Sequence, residues 1–321
     1  MRLSRLVRSS LAGAVVVGAA AAWTVPAVSA PAGPSAGSRP AFAPAVQLKG
    51  APGGEPTIVA DHTGHVVVAS PQGIPSGTNG IPGSAIWASA DGGKTFSAAH
   101  RAGSYLGGGD DDLAFTPSGT LYMADLEAVA AAVCKSTDHG QTWSSIGPLP
   151  DPGNCGGVVV GQAGPSDDRP WLTTDGNRRL YLTYHEFVSA QPVIFRDDNA
   201  GNDLFTDGPC GPIVTDPTIE ANIPQDVTGG TLVSKPVVGR DGTLYVMFTT
   251  TTQQQNAAAL SQGSPSGSFS QIYLAVSKDH CQSFKDVVVY DGSKLGTNSV
   301  QFGDIFNSLA IDGAGNLYAV A

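Results

Sequence analysis

Short apolar runs recur in pairs along the chain, and a turn rich in Asp, Pro, Asn and Gly joins the two runs of each pair. The turns, with the residues that lead into the second run, are Asp61–Val67, Pro117–Tyr122, Asp175–Tyr181, Asp241–Tyr245 and Asp312–Tyr318. Paired apolar runs joined by such turns are typical of β-hairpins. The pattern therefore predicts five copies of one hairpin, with room between copies for further strands.

An eight-residue pattern, S-x-D-x-G-x-T-aromatic, recurs between these hairpins. It is complete twice, as Ser89, Asp91, Gly93, Thr95 and Phe96, and as Ser136, Asp138, Gly140, Thr142 and Trp143. A third copy has Ser277, Asp279 and Phe284, with Cys281 in the place of the glycine. The Asp accepts backbone N–H bonds, Gly supplies positive φ, and the aromatic residue anchors the returning strand. The pattern therefore predicts a structural turn. A degenerate copy of the octapeptide begins at Asp197.

These octapeptides resemble the Asp-box, or BNR repeat, of sialidases and related β-propellers. The resemblance implies an all-β propeller of four-stranded blades, with about five blades visible and six or seven in a complete ring. It also implies that the boxes lie away from the active site. We expect the propeller to span residues 48–321 and to be incomplete at its C-terminus, because no box follows the fifth hairpin. The alternative is that the N-terminal segment completes that blade.

The N-terminus carries Arg2, Arg5 and Arg8 before the apolar run 11–22 and a stretch of small residues. The run is too short for a membrane span, so residues 1–32 are predicted to be a secretory signal peptide. Residues 33–47 are rich in Ala, Pro, Gly and Ser and are predicted to be a disordered linker. We therefore expect a secreted protein without a membrane span.

Charge and cysteines narrow the classes of partner. The net charge is −10, and an acidic chain without a basic cluster is a poor candidate for binding nucleic acid or an anionic membrane. Four cysteines in an exported chain predict two disulfides with three possible pairings, of which we favour Cys134–Cys155 and Cys210–Cys281. Their spacing does not favour a metal site. We expect a monomer.

The residues just before each inner strand of a propeller face the mouth of the central channel. In this chain that column holds Glu55, Asp110–Asp112, Asp167–Arg169, Lys235 and Asn307. Polar groups from five blades thus converge on one place, which is typical of a binding site. The predicted ligand-binding residues are Asp110, Asp111, Asp112, Asp167, Trp171, His185 and Lys235.

Within this column, several groups can carry chemistry. Asp110, Asp111 and Asp112 follow three glycines and can hold a calcium ion or supply a general acid, or they can be a solvated acidic turn. Apart from this calcium ion, we expect no cofactor. Asp168 and Arg169 suit a sugar that carries a carboxylate, or form a structural ion pair. Tyr184 and Glu186 can act as acid, base or activated phenol, or simply end a strand. The predicted catalytic residues are Asp168, Arg169, Tyr184 and Glu186.

The resemblance to sialidases is stronger in the fold than in the catalytic residues. Sialidases clasp the substrate carboxylate with three arginines, the first in an Arg-Ile-Pro motif, and use a Tyr/Glu nucleophile pair with an Asp acid/base. Here that motif is replaced by Glu55-Pro56-Thr57, which reverses the charge. The chain is more similar to secreted bacterial sialidase-like proteins that share Asp168–Trp171. We expect a propeller that recognises a glycan or other extracellular ligand, with exo-α-sialidase hydrolysis as the leading enzymatic hypothesis. The alternative is a non-enzymatic binding or scaffold propeller.

Overall fold

The computed structural model describes most of the chain from residue 42 onward. It covers residues 42–321 except 52, 74–82, 103–107, 128–129, 147–156, 160–166, 187–190, 200, 203–204, 206, 208–209, 221–230, 251, 253–256, 258–260, 262–268 and 293–306. The predicted signal peptide, most of the predicted linker and Cys155 lie outside these residues. Within them, no helix has the length and apolar character needed to cross a membrane.

The described strands form five antiparallel sheets, which we call blades 1 to 5. Blade 1 contains β1 (Thr57–Ala60), β2 (Val66–Ser70), β3 (Ser84–Ser89) and β4 (His100–Ala102). Blade 2 contains β5 (Asp111–Phe115), β6 (Leu121–Glu127), β7 (Ala130–Ser136) and β8 (Ser144–Ser145), with β9 (Gly157–Val159) also paired with β7. Blade 3 contains β10 (Asp167–Asp175), β11 (Arg179–Glu186) and β12 (Gln191–Asp197).

The short helix α1 (Pro217–Glu220) precedes blade 4. In blade 4, β13 (Leu232–Val233) and β14 (Val237–Val238) both pair with β15 (Leu244–Thr250), which is followed by β16 (Gln271–Ser277) and β17 (Lys285–Asp291). Blade 5 contains β18 (Ser308–Ile311) and β19 (Leu317–Val320). Each predicted hairpin is present as a pair of neighbouring strands, and the prediction of an all-β propeller is confirmed.

The hydrophobic core lies in layers between the faces of successive blades. Val67 and Ile86 of blade 1 pack with Leu113 and Met123 of blade 2. Between blades 2 and 3 the layer contains Tyr122, Leu172 and Leu182. Between blades 3 and 4 it contains Tyr181, Val246 and Phe248. A sheet covered on both faces needs apolar residues at consecutive positions, as β6 and β11 have. This face-to-face packing brings the starts of the inner strands β1, β5 and β10 together.

The predicted box turns have the same hydrogen-bond pattern in blades 1 and 2. The Asp91 carboxylate accepts the Ser89 hydroxyl at 2.8 Å, the Thr95 N–H at 2.9 Å and the Thr95 hydroxyl at 2.6 Å. Asp138 accepts the corresponding groups of Ser136 and Thr142 at 2.7, 2.8 and 2.6 Å. Both carboxylates are therefore used inside their own turns.

The third box keeps this pattern although a cysteine replaces the glycine. Cys281 adopts φ 67°, in the left-handed region, and its N–H donates to the Ser277 hydroxyl at 2.9 Å. Its sulfur forms the predicted disulfide with Cys210. Cys134 is also disulfide-bonded, and its predicted partner Cys155 lies outside the described residues. In the degenerate copy, Asp197 replaces the serine and accepts the Gly201 N–H at 2.8 Å.

Candidate active site

A cavity of about 300 Å³ lies at the starts of the inner strands of blades 1, 2 and 3. Its described lining consists of Glu55, Pro56, Thr57, Asp110, Asp111, Arg169, Pro170 and Trp171. The structure thus brings the predicted residues Asp110, Asp111, Arg169 and Trp171 to one cavity. It adds Glu55, Pro56, Thr57 and Pro170.

The backbone at this cavity is strained on two sides. Glu55 has φ 45° and Arg169 has φ 52°, a region that costs a residue with a side chain about 1–3 kcal/mol. Arg169 and Pro170 lie in a β-bulge of the β10–β11 pair, between Asp168 and Trp171. A bulge interrupts the ladder of hydrogen bonds, so a proline fits there without losing one. The bulge turns the Arg169 side chain toward the cavity.

Three carboxyl groups influence one another at the mouth. The pKa of Glu55 is raised by hydrogen bonding to Asp110, then by burial and by the charge of Asp110. The pKa of Asp168 is raised mainly by burial, and Asp110 contributes in the same direction although Arg169 opposes it. Arg169 forms an ion pair with Asp168 at 3.0 Å. Carboxyl groups whose pKa values are raised in this way keep their protons to a higher pH than ordinary carboxyl groups do.

Asp111 lines the cavity but is 95 % buried. Burial raises its pKa well above the ordinary value, and the charge of Asp125 adds to the effect. Asp125 stands opposite Asp111 in the β5–β6 register and accepts the Gly108 N–H at 3.0 Å. Asp111 therefore adds a buried carboxyl group to the cavity wall, with Asp125 beside it, and Asp125 was not among the residues predicted from the sequence.

Asp112 and Lys235 do not line the cavity. Asp112 is buried and accepts hydrogen bonds from the Thr57 hydroxyl at 3.1 Å, the Leu172 N–H at 2.8 Å and the Lys235 ammonium group at 2.9 Å. Lys235 also donates to the Leu113 carbonyl at 2.6 Å. The structure therefore gives Asp112 and Lys235 a bridging role between blades, in place of the ligand contacts predicted for them.

The predicted calcium site at Asp110, Asp111 and Asp112 is not supported by the geometry. Successive residues of a strand point to opposite faces. Asp111 therefore points away from Asp112 and lies opposite Asp125, whereas Asp112 binds Lys235 and Asp110, which precedes β5, interacts with Glu55. The three carboxylates do not converge on one point, so they do not form a cation site together.

The triplet at the end of β11 is buried, and it is not among the described lining residues of the cavity, although His185 pairs with Asp168 in the β10–β11 register. Tyr184 is fully buried, its ring stacks on Phe195, and burial together with the charges of Asp167 and Glu186 raises its pKa. The His185 ring contacts the Thr231 carbonyl, and burial lowers the pKa of His185 to about 4. Tyr184, His185 and Glu186 thus lie outside the described lining, and the catalytic roles of Tyr184 and Glu186 and the ligand contact of His185 stay predictions.

Asp167 is also buried, and its carboxylate accepts the Ala131 N–H of blade 2 at 3.0 Å. It therefore holds blades 2 and 3 together, and it does not line the cavity. Glu55, by contrast, faces the ligand space, although the sequence suggested only that it had replaced an arginine. Its place in the column before the first inner strand was the available signal.

Comparison with known proteins supports this architecture. The α-L-arabinanase of Penicillium chrysogenum, solved with arabinobiose, is 17 % identical with a TM-score of 0.51, over 83 % of this chain and 74 % of that chain. The GH93 α-L-arabinofuranosidase of Fusarium graminearum, also solved with arabinobiose, is 14 % identical with a TM-score of 0.49, over 83 % and 74 %. A Hadza microbial sialidase is 15 % identical with a TM-score of 0.43, over 80 % and 47 %.

No family model matches the chain, and no curated protein matches its sequence. At these identities, the structural likeness supports the fold alone. The chain has a β-propeller fold, which it shares with the Penicillium chrysogenum α-L-arabinanase.

Proposed function

We propose that this protein is an exported propeller that binds a glycan at the cavity and hydrolyses a glycosidic bond there. The observation that carries the proposal is the group of three interacting carboxyls, Glu55, Asp110 and Asp168, beside Arg169 and Trp171. Most glycoside hydrolases use two carboxyl groups, of which one holds a proton and the other is ionised. The cavity presents neighbouring carboxyl groups, of which Glu55 has a raised pKa, together with an aromatic side chain suited to a sugar ring.

In this mechanism Glu55 is the general acid, because its raised pKa lets it keep a proton at the exposed edge of the cavity. It donates that proton to the leaving oxygen of the glycosidic bond. Asp110 supplies the second carboxyl group, which either attacks the anomeric carbon to form an ester that water then hydrolyses, or takes the proton of an attacking water molecule. Asp168 holds the Arg169 guanidinium through the 3.0 Å ion pair and so orients it toward the ligand.

The identity of the sugar depends on charge. A sialoside carries a carboxylate, and Arg169 is the one cation among the described lining residues. Exo-α-sialidase activity, the specific form that the sequence suggests, therefore requires Arg169 to bind that carboxylate in competition with Asp168. A neutral sugar has no carboxylate, so it can bind without displacing Asp168 from Arg169. Arabinobiose, the ligand of two structurally similar proteins, makes α-L-arabinosides a second substrate class to test.

The test is a panel of fluorogenic sialosides, α-L-arabinofuranosides and neutral hexosides with the secreted full chain. We expect turnover of one class, and a fall in kcat by about 10²–10⁴-fold in Glu55→Gln and in Asp110→Asn. Asp241→Asn is the matched control, because Asp241 is an exposed hairpin-turn carboxylate outside the cavity. If sialosides are the substrates, Arg169→Ala abolishes turnover.

The pH profile separates acid catalysis from a structural effect. A general acid must be protonated, so kcat/KM of the wild type falls as pH rises through the raised pKa of Glu55, and Glu55→Gln loses this limb. No release from any glycoside, with glycan binding retained on an array, would contradict the hydrolase. That result would support the alternative, a non-enzymatic extracellular binding or scaffold propeller.

A further inference from the structure

A second cluster lies at the opposite ends of the strands, where the hairpin turn of blade 1 meets the box turn of blade 2. The Asp61 Oδ2 atom is 3.2 Å from His65 Nδ1 and 3.5 Å from His139 Nδ1. The two imidazole rings are stacked, with centroids 3.6 Å apart and planes within 5°. His139 Nδ1 is buried and has no hydrogen-bond partner among the described residues. The ligand atoms of three groups that can bind a metal therefore lie within 4.8 Å of one another.

Blades 3 and 4 contain the same arrangement with one difference. Asp175 and Arg179 occupy the hairpin positions of Asp61 and His65, and His280 occupies the box position of His139. The two box histidines have nearly the same backbone, with φ 57° and 59°. Arg179 donates to Asp175 at 2.7 Å and contacts His280 Nδ1 at 2.8 Å. There a permanent cation joins the carboxylate to the histidine.

At the junction of blades 1 and 2 the chain supplies no such permanent cation, because His65 replaces the arginine. We propose that a divalent transition-metal ion of the Zn²⁺ class binds Asp61, His65 and His139 and supplies the missing positive charge. Zinc bonds of about 2.0–2.1 Å place the ligand atoms of a tetrahedral site about 3.3 Å apart. The distances of 3.2 and 3.5 Å are close to this value.

The choice of metal follows from the ligand atoms. Two imidazole nitrogens and one carboxylate oxygen favour Zn²⁺, Ni²⁺ or Cu²⁺ over Mg²⁺ and Ca²⁺, which prefer oxygen ligands. An imidazole nitrogen donates in the plane of its ring, so two stacked rings cannot point at the same ion. The His139 side chain, which is 35 % exposed, must rotate out of the stack on binding. The ion then links blade 1 to blade 2, far from the cavity.

The experiment uses the full chain and Zn²⁺ alone as the probe. Isothermal titration should give one site per chain, and the Tm should rise by several degrees with Zn²⁺ and not with Mg²⁺. His139→Gly should abolish both effects without straining the turn, because Gly92 occupies the same position in the box of blade 1. The matched control His280→Gly changes the equivalent position of blade 4 and should leave zinc binding intact.

His65→Arg provides an independent check, since it introduces the cation that blade 3 already uses. This variant should fold, have a raised Tm without metal, and no longer respond to zinc. No zinc-dependent change in the wild type, or an undiminished response in His65→Arg, would overturn the proposal. A rise in Tm that needs only acidification, with no response to zinc, would show that a proton supplies the charge and would likewise overturn it.

Discussion

At the scale of single residues, Asp112 shows how one buried charge can organise several blades. Its carboxylate receives donors from Thr57 of blade 1, Leu172 of blade 3 and Lys235 before β14 of blade 4. A buried carboxylate is stable only if such donors replace its lost hydration. Because the ion pair with Lys235 and the two hydrogen bonds are made together, the four groups form one network.

Removal of this carboxylate should destabilise the protein strongly. We expect Asp112→Ala to lower the free energy of unfolding by about 3–5 kcal/mol, because Lys235 and the Leu172 N–H then lose their acceptor. Urea denaturation measures the change. In the double variant Asp112→Ala/Lys235→Met the loss should be smaller than the sum of the two single losses, because the charges are coupled. Additive losses would contradict the network.

At the scale of elements, the box turn stabilises itself almost entirely from within. The Asp138 carboxylate receives the Ser136 hydroxyl, the Thr142 hydroxyl and the N–H groups of Gln141 and Thr142. Burial acts to raise the pKa of Asp138, but the hydrogen bonds from Thr142, Ser136 and Gln141 lower it by more. The turn therefore favours the ionised carboxylate.

We expect Asp138→Ala to destabilise the protein by about 1–3 kcal/mol at pH 7, since several donors lose their charged acceptor. Thr142→Ser is the control and should change little, because Ser283 fills this position in the third box. A lowered pKa stabilises the fold above the pKa of the unfolded chain, and this effect is lost as pH falls through the folded-state pKa. The difference between wild type and Asp138→Ala should therefore shrink at pH 3; a difference that stays constant would refute the assignment.

The contrast between this turn and the mouth shows what the sequence could predict. The hydrogen bonds that the box carboxylates of Asp91 and Asp138 accept come from within their own octapeptides, so a local pattern is enough to predict the turn. Which residues line the cavity depends on the direction in which each side chain points. Alternation along β5 separates Asp111 from Asp112, Asp110 precedes the strand, and the bulge at Arg169 and Pro170 resets the direction of β10. The packing between blades buries Tyr184, and no local pattern reports this.

The same reasoning applies to contacts between blades. The approach of His139 to Asp61 depends on how the box turn of blade 2 meets the hairpin turn of blade 1. Sequence spacing carries no information on that alignment. Glu55 was visible in the column of residues before the inner strands, but its carboxyl partner Asp110 becomes apparent only when blades 1 and 2 are placed side by side.

At the scale of the whole molecule, the Cys210–Cys281 disulfide closes a loop across a sequence separation of 71 residues. It ties the segment after blade 3 to the box turn of blade 4. A cross-link of this span stabilises a protein mainly by restricting the unfolded chain, typically by about 2–4 kcal/mol. Because Cys281 also occupies a left-handed position, its replacement changes both the cross-link and the turn.

The two effects can be separated with two variants. Cys210→Ala/Cys281→Gly restores the glycine of the complete boxes but removes the cross-link, and we expect its Tm to be lower than that of the wild type. Cys210→Ala/Cys281→Ser should be lower still, because a side chain at φ 67° is strained and glycine is not. A glycine variant as stable as the wild type would show that the cross-link contributes little.

The bridge from Asp112 also bears on how the molecule comes apart. Proteins built from repeated units commonly depend on contacts between neighbours, so an end unit can detach while the others persist. Asp112 of blade 2 reaches Lys235, which is 123 positions further along the chain and beyond the intervening blade 3. The departure of either blade 3 or blade 4 therefore disturbs the same carboxylate, which also contacts blade 1. We therefore expect blades 1 to 4 to unfold as one cooperative unit.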